Sequence, residues 1–153
     1  MSERVLLIDD ESDFLEVMSE RLGARGMNVS TAESAQSALD TIEKESFDAV
    51  ILDFSMPDMD GIQALKLLLE KKPELQVILL TGYGTVEKSV EAIKMGASDF
   101  IEKPADIEKL VEKIKQAKSQ RMLILEKRQD EQIQDILKRY GARSLLAWTD
   151  VMG

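Results

Sequence analysis

Near the start of the chain stands Val5-Leu-Leu-Ile-Asp9-Asp10-Glu11, a short apolar run followed at once by three acidic residues. Four more short runs rich in apolar or β-branched residues occur further along the chain, at residues 27–31, 49–52, 77–80 and 100–101. Runs that are apolar throughout, rather than alternating with polar residues, are typical of strands buried on both faces of a parallel sheet. We therefore predict five strands, the first at residues 5–8.

Segments with helical spacing of apolar residues separate and follow these strands. Ser34 and Asp106 are positioned as N-caps of the second and fifth helices, and Gly96 as the residue that follows the fourth. Five strand–helix units with right-handed crossovers predict an α/β fold, a doubly wound five-stranded parallel sheet. The apolar rows predicted to face the core are Phe14, Leu15, Met18 and Leu22; Ala35, Ala38, Leu39 and Ile42; Ile62, Leu65, Leu68 and Leu69; Val86, Val90 and Ile93; and Ile107, Leu110, Val111 and Ile114.

Composition excludes several classes of function. The 153 residues include no Cys and no His, which excludes disulfides, thiolate zinc sites and a phosphohistidine on this chain. The net charge is −9, and residues 1–104 alone carry 10 Lys and Arg against 21 Asp and Glu. An acidic body of this kind repels nucleic acid, so we expect no direct nucleic acid binding. No apolar run approaches the roughly 20 residues that span a bilayer, so we expect a cytoplasmic protein without membrane contact.

Polar residues that can form a single site follow four of the predicted strands. Asp9 and Asp10 follow the first strand, Asp53 the third, Thr81 the fourth and Lys103 the fifth. The carboxyl ends of parallel strands meet at one edge of the sheet, where such folds place their working groups. Clustered carboxylates need a cation, and oxygen ligands without His or Cys favour Mg²⁺. Lys103 and Thr81 add a positive charge and a hydroxyl donor suited to a phosphoryl group.

These residues in this order resemble the receiver domain of two-component response regulators. The resemblance covers roughly residues 3–118 and includes the stretches that begin at Asp9, Asp53, Thr81 and Phe100. The stretch from Thr81 to Thr85 is similar to receivers of the nitrogen-regulator or enhancer-activator type. The resemblance implies a flavodoxin-like sheet with strand order 2-1-3-4-5, an order for which a receiver is a standard example.

The resemblance also implies roles for individual residues. Asp53 would accept a phosphoryl group from a sensor histidine kinase or phosphotransfer protein. Mg²⁺ would be bound by Asp10 and Asp53 directly, by Asp9 through water and by the backbone carbonyl of Ser55. Thr81 and Lys103 would contact the phosphoryl group. A protein with these roles is a signalling switch and not an enzyme in the usual sense, since it catalyses only its own phosphorylation and dephosphorylation.

Further residues are implied to transmit or tune the signal. Phe100 would be a switch aromatic that turns inward when Thr81 moves. Ser55 and Tyr83 would tune the lifetime of the acyl phosphate, and Lys103–Pro104 would be a cis peptide. The signal would reach a downstream output through the face formed by the fourth helix, fifth strand and fifth helix, or through a change in oligomeric state.

The chain continues beyond the expected receiver. We assign residues 1–118 to the receiver, 119–140 to a helical extension and 141–153 to a short, flexible tail. From Ala105 to Tyr140 the chain has no Gly or Pro, which favours one continuous helix ending at Gly141. The extension carries a row consisting of Met122, Leu125, Gln129, Ile133, Ile136 and Tyr140. Three roles of this extension stay open. It could be a dimerising or partner-binding helix, a linker to an output domain, or a segment folded back on the receiver.

Two other functions compete with the signalling switch. One is a dimerising scaffold whose acidic site is silent; the complete set of site residues argues against it. The other is a metal-dependent phosphatase with an aspartyl nucleophile. Such enzymes place a D-x-D pattern after their first strand, where this chain has Asp9-Asp10-Glu11.

Overall fold

The computed structural model of the protein describes residues 2–54, 60–82 and 86–152, with backbone alone for residues 86 and 142–152. Five strands and five helices alternate along the chain. The strands are β1 Arg4–Ile8, β2 Asn28–Ala32, β3 Ala49–Asp53, β4 Val77–Thr81 and β5 Asp99–Glu102. The helices are α1 Ser12–Gly23, α2 Ala35–Lys44, α3 Gly61–Lys71, α4 Val86–Met95 and α5 Ile107–Met152.

The strands form one parallel sheet in the order β2-β1-β3-β4-β5, which confirms the predicted fold class and strand order. Every residue of β3 and β4 is buried, as expected for the inner strands of a sheet covered on both faces. In the register, Ile8 pairs with Leu52 and Asp53 pairs with Leu80. The carboxyl ends of β1, β3 and β4 therefore lie side by side.

Two cores cover the two faces of the sheet, because successive side chains of a strand point to opposite faces. One core joins strand residues such as Leu6, Val50 and Leu79 to helices α2, α3 and α4. The other joins Leu7 and Ile51, among others, to α1 and α5. In this three-layer arrangement the carboxyl ends of β1, β3 and β4 lie together at one edge of the sheet.

Local signals in the sequence account for several helix ends. Ser34 accepts a hydrogen bond from the backbone N–H of Ser37 and begins α2, as predicted. The backbone N–H of Glu108 donates to Asp106 at the start of α5. Asp60 caps α3 by accepting from Ile62 and Gln63. After α4, Gly96 has a φ of 121°, a conformation that side-chain-bearing residues rarely adopt.

The structure confirms helix α4, but the prediction of its core face is wrong for two residues, and the side chain of the third, Val86, lies outside the described residues. Val90 and Ile93 were expected to face the core, but 48% and 38% of their surface is exposed. The buried face of α4 instead presents Ser89 and Ala92 to the sheet. Small side chains on this face allow the helix to lie close to the sheet, and the larger apolar residues are left on the outside.

Contacts divide the chain into one compact unit at residues 1–121 and a second at residues 122–153. The first unit contains the sheet, α1–α4 and the first part of α5, whose Arg121 pairs with Asp48 at 3.7 Å. In the second unit Gly141 has non-helical angles, φ 79° and ψ 163°. Helical backbone continues from there to Met152, which the sequence analysis did not predict, although residues 142–152 contain no Gly or Pro. No helix among the described residues is long and apolar enough to cross a membrane.

Candidate functional site

An acidic pocket lies at the carboxyl edge of the sheet. Carboxylate oxygens of Asp9, Asp10 and Asp53 lie within 4.8 Å of one another. Asp9 and Asp10 follow β1, and Asp53 is the last residue of β3, so the parallel pairing of these two strands brings them together. Asp9 and Asp53 are buried and Asp10 is exposed. The pocket is therefore open to solvent on the side of Asp10.

Lys103 supplies a positive charge to this pocket. Its Nζ lies 3.0 Å from Oδ2 of Asp53, a pair in which the carboxylate is 5% exposed and the lysine side chain 32% exposed. The backbone N–H of Lys103 donates to the carbonyl of Thr81, which fixes the start of the loop after β5 against β4. The peptide bond between Lys103 and Pro104 is cis.

The pocket contains three carboxyl groups and one lysine, and this excess of acidic groups favours the binding of a cation. Oδ1 of Asp9 accepts the backbone N–H of Glu11, but its buried Oδ2 has no hydrogen-bond partner among the described residues. Burial raises the pKa of Asp9 to about 7, and the nearby Asp53 carboxylate adds to this increase. Three carboxylates beside one lysine, with a buried oxygen unsatisfied, are a donor set that suits a hard divalent cation such as Mg²⁺.

Thr81 is the last residue of β4, and Phe100 lies on the neighbouring strand β5. Thr81 is fully buried, and its hydroxyl donates to the carbonyl of Ile101 at 3.4 Å. Phe100 is half-buried and packs against the core shared with α2, α3 and α4. Ser55 and Tyr83, the other two predicted site residues, lie outside the described residues.

One further residue, Phe14, contacts the lysine of the pocket and was not among the predicted site residues. Phe14 was assigned to the core row of α1, but its ring also lies under the Lys103 ammonium, 5.4 Å from Nζ to the ring centroid. The available signal was its position, because the first turn of a helix that follows β1 lies at the carboxyl edge of the sheet.

This fold and acidic pocket define a known class of protein. The family model of the response regulator receiver domain matches residues 5–115, and the chain belongs to that family. It is thus a two-component signal transduction domain.

Several relatives resemble the chain closely. It is 38% identical to the response regulator protein FleR of Pseudomonas aeruginosa over 112 residues, which are 73% of this chain and 24% of that protein. It is 39% identical to the C4-dicarboxylate transport transcriptional regulatory protein DctD of Rhizobium meliloti, over 81% of this chain and 27% of that protein. The chain thus spans about a quarter of the length of the curated relatives that it matches.

Solved structures agree with the family assignment. A receiver domain protein from Clostridium thermocellum matches with a TM-score of 0.76 and 32% identity, covering 80% of this chain and 98% of that one. The structure of NtrX from Brucella abortus with ADP matches with a TM-score of 0.74 and 33% identity, covering 92% of this chain and 30% of that one. These matches confirm the resemblance to receivers of the nitrogen-regulator type.

Proposed function

We propose that this protein is a signalling switch that accepts a phosphoryl group on Asp53 from a partner histidine kinase or phosphotransfer protein. The observation that carries the proposal is the position of Asp53. It ends a central strand, lies within 4.8 Å of two further carboxylates, and has the Lys103 ammonium 3.0 Å from one oxygen. Family membership supports the same function.

In the proposed reaction, a carboxylate oxygen of Asp53 attacks the phosphorus of the phosphohistidine. The new O–P bond forms as the P–N bond breaks, and the leaving imidazole keeps the electron pair and takes up a proton. Phosphoryl transfer depends mostly on positioning and charge neutralisation. Mg²⁺ bound by Asp9, Asp10, Asp53 and the backbone carbonyl of Ser55 would neutralise charge on the phosphoryl oxygens. Lys103 would add a second positive charge there.

The same residues support a proposed response. A phosphoryl group on Asp53 offers Thr81 a stronger hydrogen-bond acceptor than the Ile101 carbonyl, because its oxygens are charged. Movement of Thr81 would free space for Phe100 and so alter the face formed by α4, β5 and α5. Val90, Ile93 and Met95 of α4 are exposed, which supports this face as a contact surface for a downstream partner or a second copy.

The second unit supports a change of oligomeric state as an alternative readout. Met122, Leu125, Ile133, Ile136 and Tyr140 are exposed large apolar residues on helical backbone, at successive spacings of three, eight, three and four residues. We propose that this row pairs with the same row of a second copy, and that the protein acts in the cytoplasm. Because these relatives are about three times as long as this chain, a linker to an output domain is an equally direct use of the helix.

The test is intact-mass spectrometry after incubation with Mg²⁺ and a small phosphodonor such as acetyl phosphate. Wild type should gain one phosphoryl group, and the adduct should not form with chelator or in Asp53→Asn. Asp10→Asn, which keeps the carboxyl shape but removes a metal-binding charge, should label slowly. Labelling of Asp53→Asn at the wild-type rate would contradict the assignment. No adduct under any condition would favour the silent scaffold, and turnover of an outside phosphate ester would favour the phosphatase.

A further inference from the structure

We infer that Phe14 is a positioning residue that holds the Lys103 ammonium beside Asp53. The inference rests on the proposed role of Asp53 as phosphoacceptor. It starts from two distances that share one atom: Nζ of Lys103 is 3.0 Å from Oδ2 of Asp53 and 5.4 Å from the centroid of the Phe14 ring. The ammonium is therefore placed between a carboxylate and the face of an aromatic ring.

Lys103 needs a second contact to stay in this position. Its four-carbon side chain is one third exposed, and an ordered lysine loses much rotamer freedom. One ion pair at the edge of a solvent-open pocket is a weak restraint, because water competes for both partners. A ring face within 6 Å of an ammonium attracts it and restricts the directions that the stem can take.

Phe14 is well placed to provide that contact. It lies in the first turn of α1, the helix that begins just after Asp9 and Asp10. Its ring is half-buried and packs against the core shared by α1 and α5, so its position is set by the fold. The same chain segment thus fixes both the acidic pocket and the ring that contacts its lysine.

An aromatic ring has an advantage over a polar neighbour at this position. A carboxylate or amide would accept hydrogen bonds from the ammonium and compete with Asp53 for them. The ring attracts the charge through its π face and leaves the N–H donors available to Asp53, and later to phosphoryl oxygens. An aliphatic side chain would preserve packing but would lose this attraction.

The kinetic test compares Phe14→Leu with Phe14→Tyr. The leucine variant keeps an apolar side chain of similar bulk, and the tyrosine variant keeps the ring. The contact between the Lys103 ammonium and the Phe14 ring corresponds to about a two- to fivefold effect on rate. Phe14→Leu should therefore slow the labelling of Asp53 by that factor at saturating Mg²⁺. Phe14→Tyr should be labelled at close to the wild-type rate. Val17→Ala, an exposed position on the same helix, is the matched control and should label as wild type does.

A double-mutant cycle separates positioning from a general effect on the fold. In a Lys103→Ala background, Phe14→Leu should cause no further loss of labelling rate, because the group through which the ring acts is gone. Loss by the same factor in both backgrounds would overturn the inference, as would a wild-type rate for Phe14→Leu.

A second readout does not depend on phosphorylation. In the NMR spectrum of the metal-free protein, the ε-methylene protons of Lys103 should be shifted upfield by the ring in wild type and Phe14→Tyr, and should return toward the ordinary lysine position in Phe14→Leu. Identical positions in wild type and Phe14→Leu would overturn the inference. If wild type accepts no phosphoryl group at all, the proposed function fails, while this measurement still decides whether Phe14 holds Lys103.

Discussion

At the scale of single residues, Asp9 shows most clearly that the pocket is arranged for function at a cost in stability. The residue is 1% exposed, has an oxygen with no hydrogen-bond partner among the described residues, and lies near two other carboxylates. Burial raises its pKa to about 7. A carboxyl group whose pKa is higher in the folded state stabilises the fold when it is protonated, and this contribution is lost as pH rises from about 4 through 7.

Asp9→Asn should therefore stabilise the metal-free protein. The amide removes the buried charge, and we expect an increase of about 1–2 kcal/mol in the free energy of unfolding, measured by urea denaturation in chelator. The increase should be larger at pH 8 than at pH 5, because wild-type Asp9 is mostly protonated at the lower pH. Equal stability of variant and wild type at pH 8 would show that the buried carboxylate carries no penalty.

Thr81 and Lys103 are also considered as single residues. We expect both to affect the response to phosphorylation more than the acceptance of the phosphoryl group by Asp53. Thr81→Ala and Lys103→Ala should both still be labelled by a small phosphodonor, with Lys103→Ala slower by about 10- to 100-fold because it loses a charged group at the phosphoryl site. Both should show smaller backbone NMR shifts around Phe100 on addition of a phosphoryl mimic. Wild-type shifts at Phe100 in Thr81→Ala would exclude the hydroxyl from the switch.

At the scale of elements, the start of α3 packs closely against the end of β3, the strand that carries Asp53. A Cβ on Gly61 would lie 2.5 Å from the ring of Phe54, the residue directly after Asp53. Phe54 is only 7% exposed, so its rigid ring cannot easily move aside. The absence of a side chain at the first residue of α3 thus allows the helix to approach the end of β3.

Gly61→Ala should disturb both the fold and the site. We expect a loss of about 1–3 kcal/mol in the free energy of unfolding from overpacking, together with slower labelling because Asp53 is displaced. Gly23→Ala is the matched control: Gly23 is the last residue of α1, and nothing lies within 4 Å of the added Cβ. The control should be neutral or slightly more stable than wild type. Equal melting temperatures of the two variants would show that α3 can shift to accept the methyl group.

At the scale of the whole molecule, the compact unit at residues 1–121 contains every described residue of the site. It keeps the core residues Leu110, Ile114 and Ala117 of α5 as well as the ion pair between Arg121 and Asp48. The domain boundary predicted at residue 118 would remove that ion pair.

A chain ending at residue 121 should therefore fold and accept a phosphoryl group at the rate of the full chain, measured by thermal melting and intact mass. If the row from Met122 to Tyr140 pairs with a second copy, light scattering should show a smaller mass per particle for the shortened chain. Ile133→Lys together with Ile136→Lys should give the same result in the full-length chain. An unchanged oligomeric state in both would assign the helix to another use, such as a linker to an output domain.

The sequence by itself determined the five strands, the helices that alternate with them and the three carboxylates of the acidic pocket. Strands β1, β3 and β4 follow from continuous apolar runs, which indicate burial on both faces, and most candidate ligands are the polar residues at the ends of those runs. The tertiary structure alone decided which neighbours each side chain meets. In the folded protein the Phe14 ring lies under the Lys103 ammonium, and the Thr81 hydroxyl donates to the Ile101 carbonyl. Val90 and Ile93 of α4 are exposed. Local spacing identifies a helix face, but packing between distant segments decides whether that face is buried and what it contacts.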